Sequence, residues 1–139
     1  MPDAELAAVV AATHEIWLRT NDRIGRALAQ HRLTTSTFQA LWAIDPDEPA
    51  PPMKVMAERL YCNAPNLTFI TDQLVERGWA ERAVDPADRR CRVIVLTEEG
   101  RRVRTDVLRT AMEQSPLAAL SAEELRGLAP LLERVVQQD

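Results

Sequence analysis

Arg89, Arg90 and Arg92 place three guanidinium groups within four residues of a chain whose net charge is −4. Guanidinium stays charged at any physiological pH, and its planar fork of donors suits phosphate or carboxylate. A cluster this dense on an acidic protein points to a focused contact with an anion; the alternative is a solvated turn. The surroundings favour the anion. Residues 54–104 carry ten basic and eight acidic side chains, whereas 1–50 carry four arginines against seven acids and 113–139 two against five. Trp79 to Val84 and Arg92 to Leu96 are rich in β-branched and aromatic residues, with the turn signature Asp85-Pro86-Ala87-Asp88 between them. The pattern predicts a β-hairpin with the arginines at its tip, where long cationic side chains can enter a narrow minor groove and its negative potential.

Other chemistry is thinly represented. No Ser-His-Asp set or paired-carboxylate cleft is recognisable, and four glycines nearly exclude a glycine-rich phosphate loop. Cys62 and Cys91 are too few for a disulfide framework and form no C-x-x-C or Cys/His cluster, so neither metal nor cofactor is expected. Cys62 before a helix N-terminus and Cys91 between arginines are placed where a thiol pKa can fall, though incidental cysteine is the simpler reading. Met53, Met56 and Met112 read as core filler and His31 as loop surface. No apolar run approaches the roughly 20 residues of a membrane span. The acidic start Met-Pro-Asp-Ala-Glu lacks the basic character of a secretory signal. The expectation is a cytoplasmic protein that is not an enzyme.

At 139 residues the chain is long enough for one domain with its own core. Leu6, Val9, Val10, Ile16, Trp17, Ile24 and Leu28 recur at helical spacing, predicting a first helix of more than six turns. Its stripe exceeds what the remaining helices can cover, so a partner chain is expected. Thr34 offers an N-cap for a second helix with Phe38, Leu41 and Trp42 on its apolar face. Four prolines between Asp45 and Pro52 then predict a stiff, exposed connection. Met53, Met56, Ala57 and Leu60 mark a short third helix. Asn63 caps a fourth, with Pro65 in its first turn, Leu67, Ile70 and Leu74 inward, and Gly78 suited to a left-handed stop. Two short helices joined at Tyr61-Cys62-Asn63 read as helix-turn-helix. After the hairpin, Thr97-Glu98-Glu99 starts a fifth helix with Val103, Val107, Leu108 and Ala111 inward, and Pro116 interrupts it. Ser121-Ala122-Glu123-Glu124 is a capping box opening a sixth helix, which Pro130 should kink.

The words Met56-Ala57-Glu58-Arg59-Leu60, Gln73-Leu74-Val75-Glu76-Arg77-Gly78-Trp79, Asp85-Pro86-Ala87-Asp88-Arg89-Arg90 and Val95-Leu96-Thr97-Glu98-Glu99-Gly100 follow one another in this order. The chain thereby resembles the MarR family of bacterial transcription regulators over nearly its whole length. The resemblance implies a mainly α fold with a small β-hairpin wing. Residues 33–97 would form a winged helix-turn-helix lobe, and 1–32 and 98–139 the helices (first, fifth and sixth) that interlock in a homodimer. It also implies a palindromic double-stranded DNA operator, repression, and a small aromatic or phenolic effector or an oxidant that weakens DNA binding.

For DNA contact the candidates are Ser36 and Thr37 on the second helix, Asn63, Pro65, Asn66, Thr68, Phe69 and Gln73 on the fourth, and Asp88, Arg89, Arg90 and Arg92 on the wing. Asn66 and Gln73 suit adenine, Thr68 and Phe69 a thymine methyl, and the helix N-terminus a phosphate. Phe69 reads equally as a ring packed on a neighbouring loop, and Asp88 as a partner holding one wing arginine. The outward face of the fourth helix has no cation before Arg77, where the family commonly places basic residues at the positions of Phe69 and Gln73. Asp72 and Glu76 stand where they would repel phosphate. That departure leaves an alternative open, a winged-helix interaction module with weak or lost DNA binding. For the effector, the resemblance points to His14, Trp17 and Trp42 as aromatic walls, with Arg23 or Arg101 for an anionic group. The alternative is that both tryptophans are core. Neither cysteine stands on the first helix, where the family's peroxide sensors carry their reactive one.

Overall fold

The computed structural model describes residues 3–138. Helix α1, Ala4–Gln30, opens on the Asp3 cap and ends where Arg32 adopts a left-handed φ of 55°. Helix α2, Thr35–Ala43, starts at Thr34, and α3, Met53–Leu60, stops at Tyr61, again left-handed. Helix α4, Ala64–Glu76, is capped by the Asn63 carboxamide oxygen, which accepts the Asn66 N–H at 2.9 Å. Strands β1, Ala80–Val84, and β2, Arg92–Leu96, pair antiparallel with Arg82 opposite Ile94. Helix α5, Glu98–Gln114, a short 3₁₀ turn at Pro116–Ala119, and α6, Ala122–Val136, complete the chain. Ser121 caps α6 reciprocally with Glu124, and its N–H and hydroxyl hold the Glu124 carboxyl below the usual carboxylate range. Pro130 lies inside α6, as expected. The architecture is mainly α with a small hairpin, in the predicted order.

The core belongs to the central lobe. Leu41, Met56, Leu67, Leu74 and Ile94 are fully buried, and Ile24 and Leu28 from the end of α1 with Val107 and Ala111 from α5 close the cluster. Two arginines finish α2, whose last carbonyls have no partner within the helix. Arg104 donates to the carbonyls of Leu41 and Trp42 at 2.9 and 3.1 Å, and Arg59 to that of Ala43 at 2.7 Å. These bonds tie α5 and α3 to the helix between them.

The word Leu96-Thr97-x-x-Gly100 has a mechanical reason. The Thr97 hydroxyl donates to the Gly78 carbonyl at 2.6 Å and accepts the Gly100 N–H at 3.0 Å, while the Thr97 N–H donates to Trp79. The start of α5 is thereby drawn onto the Gly78-Trp79 backbone so closely that a Cβ on Gly100 would overlap the Trp79 carbonyl, 2.8 Å from its carbon. Backbone cannot move aside as a side-chain tip can. Gly100→Ala should therefore destabilise the lobe by about 3 kcal/mol, read as a lowered urea midpoint; an unshifted midpoint would refute this packing.

Three expectations need correction, the first being Met112, which is exposed on α5 and not core filler. The proline-rich connection is not simply exposed: Pro51 is buried, its carbonyl accepts the Ile94 N–H at 3.2 Å, and Pro52 bridges to Val93. Proline at this edge loses nothing, because only its acceptor is used. Trp42 is half exposed instead of lying on the buried face; it meets Phe38 edge-on with ring centroids 5.4 Å apart.

The outer helices leave their apolar faces open. Leu6, Val9, Val10, Trp17 and Leu18 of α1 and Leu125, Leu131, Leu132, Val135 and Val136 of α6 are all exposed, and α6 makes no substantial contact with another element. Only the last turns of α1 reach the core. An apolar surface this extended is rare on a monomeric soluble chain.

Candidate nucleic-acid interface

The hairpin tip is built by its aspartates. Asp85 accepts the Ala87 N–H at 2.9 Å and Asp88 the Arg90 N–H at 3.0 Å, two local side-chain turns that reverse the chain. Asp88 thus shapes the wing through the backbone of Arg90 and makes no ion pair with a wing arginine, which corrects the expected role. Arg89, Arg90 and Arg92 are exposed, and among the described residues none of the three has a salt-bridge partner. Three free guanidinium groups on a pinned tip can meet successive phosphates or a groove floor.

Cys91 lies between these arginines, yet its thiol is pushed up. Its Sγ donates to Asp88 at 3.5 Å, a bond available only while the sulfur holds its proton, and the Asp88 and Asp85 carboxylates repel a thiolate. The expected lowering by flanking arginines does not occur there. Cys62 is half-buried in a cleft between α2 and α4.

On α4 the outward positions Pro65, Asn66, Thr68 and Phe69 are exposed, and Gln73 is half-buried. Asn63 has committed its oxygen to the cap, so its NH₂ is the end left for a ligand. Thr68 donates its hydroxyl back to the Ala64 carbonyl at 3.0 Å. Phe69 is 65% exposed at the rim of the α2–α4 cleft, so packing on a neighbouring loop is not its state. Ser36 is exposed on the same cleft, of about 370 Å³. Thr37 is 3% exposed and spent in the reciprocal cap with Thr34, bonding its N–H, hydroxyl and carbonyl. Contrary to expectation, it cannot touch DNA.

The expected effector residues do not converge within one chain. His14 and Trp17 stack at 6.3 Å on the outer half of α1, and a helix of 27 residues is about 40 Å long. Trp42 lines a separate cleft of about 380 Å³ between α2 and α3 with Gln39, Ala43, Arg59, Leu60 and Tyr61. Arg23 donates to the Gln114 carbonyl at 3.2 Å, finishing the C-terminus of α5. Arg101 stands at the opposite end of α5 beside Glu98, Arg102, Thr105 and Asp106.

Several residues that position this surface had no sequence signal. Arg77, the expected cation of α4, turns back to the His31 and Arg32 carbonyls and lies over the Trp79 ring at 4.7 Å. Arg82 of β1 pairs with Asp72 of α4, so the acid expected to repel phosphate has a counter-charge. Tyr61, in the turn between α3 and α4, is almost wholly exposed in a left-handed conformation.

Residues 33–92 match the model of the MarR family. Solved structures with the same fold include a MarR-family transcriptional regulator from Rhodococcus sp. RHA1, at 18% identity and TM-score 0.79 over 99% of this chain and 97% of that one. CouR from Rhodococcus jostii RHA1, bound to p-coumaroyl-CoA, gives 19% identity and TM-score 0.75 over 99% and 94%. A mutant MarR from E. coli complexed with operator DNA gives 23% and 0.69 over 94% and 95%. No curated protein sequence matches the chain.

Proposed function

We propose that this chain, whose residues 33–92 match the model of the MarR family, is a DNA-binding transcription regulator of that family that acts as a homodimeric repressor on a palindromic operator, released by a small aromatic or phenolic effector. One observation carries the reading: among the described residues the arginines of the wing are exposed and without a salt-bridge partner, on a tip fixed by Asp85 and Asp88. The wing supplies charge for phosphate and minor groove, and the helix supplies Asn66, Thr68, Phe69 and Gln73 for base edges. Without a cation on that helix, guanine has no arginine partner and an A·T-leaning site is expected.

The open apolar faces of α1 and α6 support the dimer, which would set two helices against half-sites about 34–36 Å apart. His14, Trp17, Trp42 and Arg101 keep exposed ring or cation surface, and the effector site we propose needs the second copy to gather them. The Rhodococcus jostii neighbour bound to an aromatic thioester supports that class of effector. Sedimentation of the chain with a duplex of about 30 base pairs, long enough for two half-sites, should give a complex of two chains per duplex; one chain per duplex would overturn the dimeric reading.

A second reading, a winged-helix interaction module, is favoured by one observation. Helix α4 holds no lysine or arginine, and the Arg77 that follows it is bound to backbone carbonyls.

A further inference from the structure

We propose that Arg82 is a positioning residue for DNA binding: from β1 it braces the wing to α4 and cancels the charge of Asp72. The inference rests on the DNA-binding reading above. Helix α4 carries two acids, Asp72 and Glu76, and no base of its own. Brought to a duplex, an uncompensated carboxylate in its middle turns would face phosphates of the same sign. Arg82 answers from a rigid place, since its backbone is paired opposite Ile94 within the hairpin. Its Nη2 donates to the Thr71 hydroxyl at 3.1 Å and to Asp72 Oδ1.

Thr71 is fully buried, and its hydroxyl proton is directed to the carbonyls of Leu67 and Thr68 at 2.9 and 3.1 Å. Arg82 donates to the same hydroxyl oxygen, which is left free to accept. One nitrogen thus grips two consecutive residues of α4, and the strand that carries it runs on to the wing tip. The same contact does two things: it lowers the negative charge of the DNA-facing helix, and it fixes the angle between that helix and the wing arginines. Asp72 and Arg82 are both partly exposed, so the pair adds little to the stability of the lobe. Its effect falls on the complex.

The test compares wild type, Arg82→Met, Asp72→Asn and the double variant, with anisotropy on a mixed-sequence duplex of about 30 base pairs at low salt and a thermal melt of each protein. Arg82→Met should bind about tenfold more weakly, and Asp72→Asn, whose amide oxygen can still accept from Arg82, no more weakly than wild type. The double variant should recover the share of the loss due to charge but not the share due to the lost grip, at an unchanged melting temperature. Failure of Asp72→Asn to rescue any of the loss would overturn the charge cancellation, and complete rescue would overturn the brace. Unchanged binding by Arg82→Met would overturn it as well. Should Arg82→Met not fold, Arg82→Lys keeps the charge without the two-way grip; a loss of affinity in it that Asp72→Asn does not relieve supports the brace, and full wild-type affinity refutes it. A wild type that binds no duplex would instead remove the DNA-binding reading itself, a result separable from the others because the wild type is measured first.

Discussion

Replacing Arg89, Arg90 and Arg92 together by alanine is expected to lower affinity for duplex DNA about 100-fold at physiological salt, on any sequence. Each exposed guanidinium that neutralises a phosphate releases condensed counterions, so the slope of log affinity against log salt should flatten by about 0.9 for each phosphate left without its arginine. The three side chains touch nothing that holds the lobe together, because the tip is shaped by Asp85 and Asp88 through backbone N–H groups. The variant should therefore melt with the wild type, within the roughly 0.5 kcal/mol typical of surface changes. Anisotropy titrations at two salt concentrations read both quantities. An unaltered slope would show that the wing does not meet phosphate.

The second large effect lies at the other end of the molecule. Val10 of α1 and Leu132 of α6 are exposed and outside the core, so charging them does not damage the lobe of a single chain. If these faces bury one another across a homodimer, Val10→Glu with Leu132→Glu would put four carboxylates in an apolar seam, each of which costs several kcal/mol to bury unpaired. The wild type should then sediment near 31 kDa, twice the 15.6 kDa chain, and the variant at the chain mass with duplex binding largely abolished. A variant that keeps the wild-type mass would place the dimer contact elsewhere.

Local grammar is legible in the sequence. Thr34, Asn63, Thr97 and Ser121 are caps because each has a donor within three residues, and such bonds depend on nothing far away. The order of helices and hairpin follows from these caps, Gly78 and the apolar period. The open stripe of α1 is legible too, since its length outruns the chain available to cover it.

What stays hidden depends on angles between elements. Arg82 reaches Asp72 only because the hairpin folds back along α4, and ten residues of separation say nothing about that. Thr37 looks like a phosphate contact because a Thr-x-x-Thr reciprocal cap lacks the glutamate that usually reveals one. Cys91 has arginines as chain neighbours, whereas the turn brings Asp88 round to its sulfur. The effector residues look like a set because aromatic and cationic types recur. Their positions on α1, α2 and α5, and Arg23 on the Gln114 carbonyl, separate them within one chain.

The most direct test of the central claim is an anisotropy titration of the wild-type protein on the duplex immediately upstream of its own coding region, with scrambled duplex as competitor. A specific regulator at physiological salt should bind with a Kd on the order of 10⁻⁸ M or tighter and resist the competitor. Binding at about 10⁻⁶ M or weaker, equally displaced by scrambled sequence, is the non-specific range. It would contradict specific regulation and leave the interaction module in its place.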